Sequence, residues 1–157
     1  MRLLPKQNAN RSDEFTADDA DELAPSAVIT MTTRVFLPDN IARWITQQLP
    51  LAGLDRIQFR LCRRIPLSRL VGNRTLAGIT FWNRIYLTEG NWRLEPASRS
   101  SLELVLHELV HVLQYRRRPF WFPFRYVIDH FRYGYDDNPA EIEAREVASK
   151  VARSFFV

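Results

Sequence analysis

His107 and His111 stand four residues apart, and Glu108 directly follows the first of them. Residues four positions apart on an α-helix point to the same side, so the two imidazoles can bind one metal ion. Glu108 lies about 100° around the helix axis from His107, where its carboxylate can reach a water molecule beside the metal. The pattern therefore indicates a zinc site in which Glu108 is the general base of a hydrolytic reaction.

A third ligand is expected from another part of the chain, because a catalytic zinc ion usually takes three protein ligands. The residues after His111, 112–116, contain no histidine, which favours a carboxylate from a second helix. Glu141 and Glu143 are the candidates. On a helical wheel Glu141 falls on the side of three alanines, whereas Glu143 falls among charged residues and points to solvent. We therefore predict His107, His111 and Glu141 as the zinc ligands.

Two alternatives stay open around the third ligand. Glu141 stands three residues after Asn138, so it can instead complete a capping box at the start of its helix. Arg145, one turn after Glu141, can either orient that carboxylate through a hydrogen bond or lie on the surface.

The helices that must carry these residues have recognisable ends. Ser100 and Glu103 have the spacing of a capping box, and apolar residues recur at helical intervals over 102–115, which predicts the histidine helix. Asn138 is a good N-cap and Pro139 suits a first helical turn, which predicts a second helix that carries Glu141.

The earlier half of the chain predicts a small sheet. Residues 28–37 indicate a strand, and a helix follows from Pro38-Asp39 to about residue 50. Residues 57–61 alternate between apolar and polar types and predict a second strand. Residues 78–82 and 84–88 predict two further strands, or one strand bent around Asn83. The expected fold class is α+β, with a small and mostly antiparallel sheet that packs on the two helices.

Composition sets the domain organisation. Residues 1–27 are mostly polar and acidic, which predicts a disordered N-terminal tail, and residues 28–157 are expected to form one domain. The net charge is +4 and the isoelectric point is near 9.6. The excess of arginine is dispersed, so nucleic acid is the least favoured partner. The oligomeric state is not predicted.

A single cysteine, Cys62, excludes an internal disulfide framework and is expected to be an inert, half-buried thiol. The first residues lack the apolar segment of a signal peptide, and no stretch approaches the roughly 20 apolar residues that span a bilayer. These features predict a cytoplasmic protein.

The segment between the two helices is rich in aromatic residues and follows three arginines. Such a segment can contact the surface of a membrane. The residues that would do so are Phe120, Trp121, Phe122 and Phe124. We favour the alternative that residues 119–126 form a loop over the core and lead into a partly buried helix. The residues expected to face the core there are Tyr126, Ile128, Phe131 and Tyr135.

A hydrolytic reaction at a carbonyl group also needs a hydrogen-bond donor that stabilises the negative charge developing on the carbonyl oxygen. His130, Tyr133 and Tyr135 lie between the two ligand helices and form the pool of candidates. Tyr135 is the first choice as a catalytic residue because it closely precedes the second ligand helix.

Residues 107–111 and 138–145 together resemble the gluzincins, zinc peptidases with a His-Glu-x-x-His helix and a glutamate from a following helix. Arg145 stands where some gluzincins have an aspartate. Residues 57–157 are also similar to small bacterial zincin-like domains of unknown function. The resemblance implies a minimal zincin-like fold whose edge strand holds an extended substrate. It also implies zinc-dependent hydrolysis of peptides or proteins.

A second class of function remains open. The same zinc site can stabilise a catalytically silent module that binds a protein, membrane or nucleic-acid partner through its basic and aromatic surface. Glu108 favours the enzyme, because a purely structural zinc site needs ligands but no base.

Overall fold

A computed structural model describes residues 32–63, 65, 76–95 and 97–157 of the chain. The predicted disordered tail and the first four residues of the strand predicted at 28–37 lie outside the described residues. The described part is α+β and contains one small sheet and four α-helices.

The sheet has four strands in the order β1-β2-β4-β3. The strands are β1 (Thr33–Val35), β2 (Gln58–Cys62), β3 (Gly78–Phe81) and β4 (Arg84–Thr88). β1 pairs antiparallel with β2, and β3 pairs antiparallel with β4, whereas β2 and β4 are parallel. The sheet is therefore mixed: the predicted antiparallel pairing holds for two of its three strand pairs and is wrong for the central pair, β2 and β4. β3 and β4 are two separate strands joined at Trp82-Asn83, and β3 is an edge strand.

The first two helices are α1 (Asp39–Gln48) and α2 (Arg99–Arg117). α1 lies where the sequence predicts it. α2 begins earlier than predicted, because Ser98 has an extended backbone and its Oγ accepts a hydrogen bond from the Ser101 N–H at 3.2 Å. The capping box predicted at Ser100 and Glu103 is thus wrong. Glu103 instead forms an ion pair with Arg99 at 3.0 Å.

The aromatic segment forms a helix, α3 (Trp121–Tyr133), so the predicted loop at 119–126 is wrong. Pro123 is compatible with the first turn, where a backbone N–H has no partner within the helix. The expected partial burial is also wrong for Ile128 and Phe131, which are 62% and 85% exposed. Only one side of α3 faces α2, and these two residues lie on the other side.

The last helix, α4 (Pro139–Phe155), begins as predicted, because Asn138 Oδ1 accepts a hydrogen bond from the Ala140 N–H at 3.0 Å. α2 packs against both α4 and the sheet. Small side chains on α4 permit a close approach of the two helices, and the alanines that line this contact are Ala144, Ala148 and Ala152.

Cys62 is 1% exposed and therefore more deeply buried than predicted, with its thiol 3.5 Å from the carbonyl oxygen of Leu87. Burial raises the pKa of this thiol, which agrees with an inert role. Within the residues that the structure describes, no helix has the length and apolar character needed to cross a membrane.

Candidate metal centre

The two histidines of α2 face one point, because the opposite side of the helix is fixed in the core. Leu102, Leu106 and Leu109 on α2 are fully buried. The Nε2 atoms of His107 and His111 lie 3.1 Å apart. The predicted convergence of the two imidazoles is thus present in the structure.

Glu141 reaches the histidines from the first turn of α4. Its Oε2 lies 3.1 Å from His107 Nε2, and its Oε1 lies 3.3 Å from His111 Nε2. The side chain is 2% exposed. The potential ligand atoms of these three residues all lie within 4.8 Å of one another, so the group can hold a metal ion. Glu141 thus occupies the place predicted for the third ligand, and its carboxylate faces the histidines.

Glu141 remains ionised although it is buried. Burial by itself would raise its pKa, but contacts with His107, His111 and Tyr126 hold the pKa well below its ordinary value. The Glu141 Oε2 atom is buried and, among the described residues, has no contact with good hydrogen-bond geometry, although His107 Nε2 lies 3.1 Å away. A buried anionic oxygen without a hydrogen bond is costly unless a cation neutralises it.

Gln114 determines which nitrogen of His111 is free. Its amide nitrogen donates to the carbonyl oxygen of Ala140 at 3.0 Å and to Glu143 Oε2 at 2.9 Å. The amide oxygen of Gln114 therefore faces His111 Nδ1, at 2.8 Å, and accepts its proton. From this network we assign the Nδ1–H tautomer to the neutral ring, which leaves a lone pair on Nε2 directed at Glu141.

The donor set fits a metal cation. An Nε2 lone pair of His111 and a carboxylate oxygen of Glu141 would repel each other at 3.3 Å unless a proton or a metal ion lies between them. Burial lowers the pKa of His111, but Glu141, Glu108 and Gln114 together raise it above its ordinary value. The same negative surroundings attract a metal ion. Two imidazole nitrogens and one carboxylate are a frequent ligand set of catalytic zinc.

Tyr126 on α3 holds the ligand carboxylate from the other side. Its hydroxyl donates to Glu141 Oε1 at 2.6 Å, and the Asn138 side-chain amide donates to the Tyr126 carbonyl oxygen at 3.2 Å. Burial and the charge of Glu141 raise the pKa of Tyr126, so the phenol keeps its proton and remains a donor. The residue therefore orients Glu141 and links α3 to α4.

Glu108 lies beside the histidines and faces the sheet. Thr80 Oγ1 lies 2.7 Å from Glu108 Oε2, to which it donates, and 3.1 Å from the Glu108 carbonyl oxygen. Burial raises the pKa of Glu108, although His111, His107 and Thr80 act in the opposite direction. A raised pKa brings a carboxylate closer to the range in which it can accept a proton during catalysis.

Gly78 makes room for that carboxylate. A Cβ atom at this position would lie 2.4 Å from Glu108 Oε1 and 2.9 Å from Leu87 Cδ2. Any side chain at residue 78 would therefore displace Glu108, the candidate general base, or Leu87 in the core.

A cleft of about 420 Å³ opens over the centre. His107, Glu108, His111 and Glu141 lie at its polar end. Apolar side chains form much of the remaining wall, among them Ile79 and Phe81 of β3, Tyr115 of α2, and Phe122, Val127 and Phe131 of α3. The arrangement can bind an apolar group next to a metal ion and a buried carboxylate.

The predicted pool of oxyanion donors is only partly in the cleft. Tyr135 and His130 line it, whereas Tyr133 does not belong to its lining. Burial and the charge of Glu141 raise the pKa of Tyr135, which keeps this phenol protonated. His130 stacks on Tyr126 with ring centroids 6.5 Å apart. Tyr135 thus remains the candidate donor, and its catalytic role stays a prediction.

Arg145 does not orient Glu141. Its guanidinium is exposed and donates to the carbonyl oxygen of Asp136, in the connection before α4. Glu143 is 44% exposed at its side chain and pairs with Arg117, so its predicted direction towards solvent is largely confirmed.

Three contributors to the site are missing from the sequence prediction, namely Thr80, Gln114 and Tyr126. Gln114 had a visible signal, because it lies three residues after His111 and on the same side of the helix. Tyr126 lies four residues from both Phe122 and His130, which is a helical spacing. Thr80 left no signal, since its contact with Glu108 depends on how β3 packs against α2.

We compared the chain with protein-family models, with curated proteins and with solved structures, and it matches none of them.

Proposed function

We propose that this protein is a zinc-dependent metallopeptidase with a minimal zincin-like fold and a gluzincin ligand set. The observation that carries the proposal is the convergence of His107, His111 and Glu141, whose potential ligand atoms lie within 4.8 Å of one another. Glu108 adds a buried carboxylate in the same cleft. This is the set of groups that hydrolysis at a zinc site requires.

Each residue then has one task. A zinc ion held by His107, His111 and Glu141 would supply a Lewis acid that polarises the scissile carbonyl and makes water more acidic. Glu108 takes a proton from the attacking water and later passes it to the leaving amine nitrogen. Thr80 keeps the Glu108 carboxylate in position.

Tyr135 is the proposed donor to the oxyanion. Its phenol is half-buried in the cleft and stays protonated, so it can donate a hydrogen bond where negative charge develops. Both phenols interact with Glu141, but the hydroxyl of Tyr126 is the more firmly engaged, because it donates to Glu141 Oε1 at 2.6 Å.

The edge strand supports a peptide as substrate. β3 pairs only with β4 in the described sheet, and its residues 78–81 line the cleft. An extended peptide can add to the free edge of β3 through main-chain hydrogen bonds. The apolar wall of the cleft favours large apolar side chains near the bond that is cut.

The decisive experiment compares Glu108→Gln with Glu103→Gln, a matched change at a half-buried position of the same helix whose carboxylate pairs with Arg99. Zinc content and cleavage of an unbiased peptide library are measured for both variants and the unmodified protein. We expect Glu108→Gln to retain zinc and to lose about 10²- to 10⁴-fold in cleavage rate, while Glu103→Gln changes little.

Cleavage that survives in Glu108→Gln would refute the proposed mechanism. Zinc binding without cleavage of any peptide by the unmodified protein would instead favour the silent zinc-stabilised module.

A further inference from the structure

The outward side of α3 is a continuous apolar surface that no described residue covers. Its members are all more than half exposed, at 83%, 64%, 68%, 51%, 62% and 85% in chain order. We call this surface the outer face, and it consists of Phe120, Trp121, Phe124, Val127, Ile128 and Phe131.

The outer face adjoins the cleft at Val127 and Phe131 but does not include the residues of α3 that contact the site. Phe122 packs on Tyr115 with ring centroids 4.7 Å apart, and Tyr126 binds Glu141. The outer residues repeat at intervals of three and four, which places them on one stripe of the helix. Phe122 was expected among the membrane-contacting residues, but it points inward and is not part of the outer face.

The cost of this exposure argues for a partner. Each Å² of apolar surface that stays in contact with water forgoes roughly 25 cal/mol of stabilising free energy. Six large apolar side chains carry this cost on the outer face. Isolated exposed residues need no explanation, but a continuous apolar stripe of this kind marks an interaction surface.

Arginines border the stripe. By helical position, Arg125 and Arg132 lie within about 40° of Trp121, beyond the edge of the outer face. Arg118 precedes the helix and is exposed. The only acidic residue of α3, Asp129, is mostly buried on the other side and pairs with Arg125 at 3.3 Å. The outer face is therefore apolar, and the positive charge at its margin comes from Arg118 and Arg132, because Asp129 neutralises Arg125.

We propose that the outer face of α3 docks on an anionic lipid bilayer. The aromatic and aliphatic side chains enter the boundary between headgroups and acyl chains, and the arginines contact lipid phosphates at the level of the headgroups. Charge complementarity selects this partner over a second copy of the chain. A symmetric dimer through the same face would bring the arginine margins of both copies close together.

Docking also orients the cleft. Val127 and Phe131 belong to the outer face and line the cleft as well. A bilayer on the outer face would therefore lie beside the mouth of the cleft. Under the proposed function, on which this consequence rests, the substrates are peptide segments that lie at the lipid surface.

The test is co-sedimentation of the full chain with vesicles. One set contains phosphatidylcholine alone, and the other contains about 30% phosphatidylserine. We expect at least about tenfold stronger binding to the anionic vesicles at low salt, and a clear decrease at about 0.5 M salt because exposed charges are then screened. Equal binding to both sets, or no binding to either, would overturn the proposal.

Variants identify the surface. Phe124→Ser combined with Phe131→Ser is expected to weaken binding to anionic vesicles by about tenfold or more, since each change removes apolar area from the bilayer. Phe36→Ser is the matched control, because Phe36 is 73% exposed but follows β1 and lies outside the outer face. Unfolding curves establish that both variants are folded. Equal losses of vesicle binding in Phe124→Ser/Phe131→Ser and in Phe36→Ser would contradict the assignment of the outer face as the lipid-binding surface.

Two further measurements separate the alternatives. Glu108→Gln should bind vesicles as the unmodified protein does, so a failure of docking and a failure of peptidase activity are read independently. Light scattering reports the oligomeric state. A dimer that dissociates in the Phe124→Ser/Phe131→Ser variant would assign the outer face to a second copy and overturn the lipid proposal.

Discussion

α2 and α3 are consecutive helices that both line the cleft, yet they are attached to the protein in different ways. α2 has twelve buried residues, whereas α3 has none. The positions of His107 and His111 are therefore fixed by the core. α3 is held mainly through Phe122, Tyr126 and their contacts around the metal centre.

The difference shows how one cleft combines a rigid and a weakly held wall. Metal ligands need positions fixed to a fraction of an ångström, and the buried side of α2 supplies that rigidity. A helix without a buried face opens at low cost, because few apolar contacts must be broken. We therefore expect α3 to be less stably attached than α2, which carries both histidines.

The largest expected effect is on stability, and it tests the comparison directly. Leu106 on α2 is 0% exposed, so Leu106→Ala should lower the free energy of unfolding by about 2–5 kcal/mol. Phe124→Ala on α3 should change it by less than about 0.5 kcal/mol. Urea unfolding of both variants gives the two values. Similar losses would show that α3 is as firmly packed as α2.

The second prediction concerns the wall formed by β3. Gly78→Ala should destabilise the protein by about 1–3 kcal/mol, because the new methyl group collides with Glu108 and Leu87. It should also lower peptidase activity. Gly90→Ala is the matched control, since a Cβ there would have no heavy atom within 4 Å. The free energy of unfolding and the rate of peptide cleavage are measured for both variants. Equal values in the two proteins would exclude the proposed crowding at Glu108.

A smaller effect is expected where α3 meets the ligand. Tyr126→Phe removes the hydrogen bond to Glu141 Oε1 and should weaken zinc binding by about 10- to 100-fold, with little loss of stability. Tyr133→Phe changes an exposed tyrosine of the same helix and should leave zinc affinity unchanged. Competition with a chelator measures both affinities. An unchanged affinity in Tyr126→Phe would mean that α3 does not contribute to the site.

Local patterns made α2 and the start of α4 predictable. The spacing of His107 and His111 is a property of the helix itself, and the alanine side of α4 marked Glu141 as the inward carboxylate. The strands could also be located from their alternation. Their order could not, because the parallel pairing of β2 with β4 joins segments that are distant in the sequence.

Two errors have a common physical cause. Residues 119–126 were expected to cover the core, and the helix that follows was expected to be partly buried, because large apolar residues are usually buried. Phe131 instead remains 85% exposed, since α3 contacts α2 along one side only. Likewise, Thr80 on β3 contacts Glu108, and Tyr126 on α3 contacts Glu141. Both contacts depend on tertiary packing, which no local sequence pattern encodes.

The central claim is that His107, His111 and Glu141 form one zinc site, and zinc stoichiometry tests it most directly. The proteins to compare are the unmodified chain, His111→Ala, Glu141→Gln and Glu146→Gln, the last being a matched change at an exposed position of α4. We expect one zinc ion per chain in the unmodified protein and in Glu146→Gln, and a loss of bound zinc in the other two. Unchanged zinc content in His111→Ala and Glu141→Gln would contradict the account.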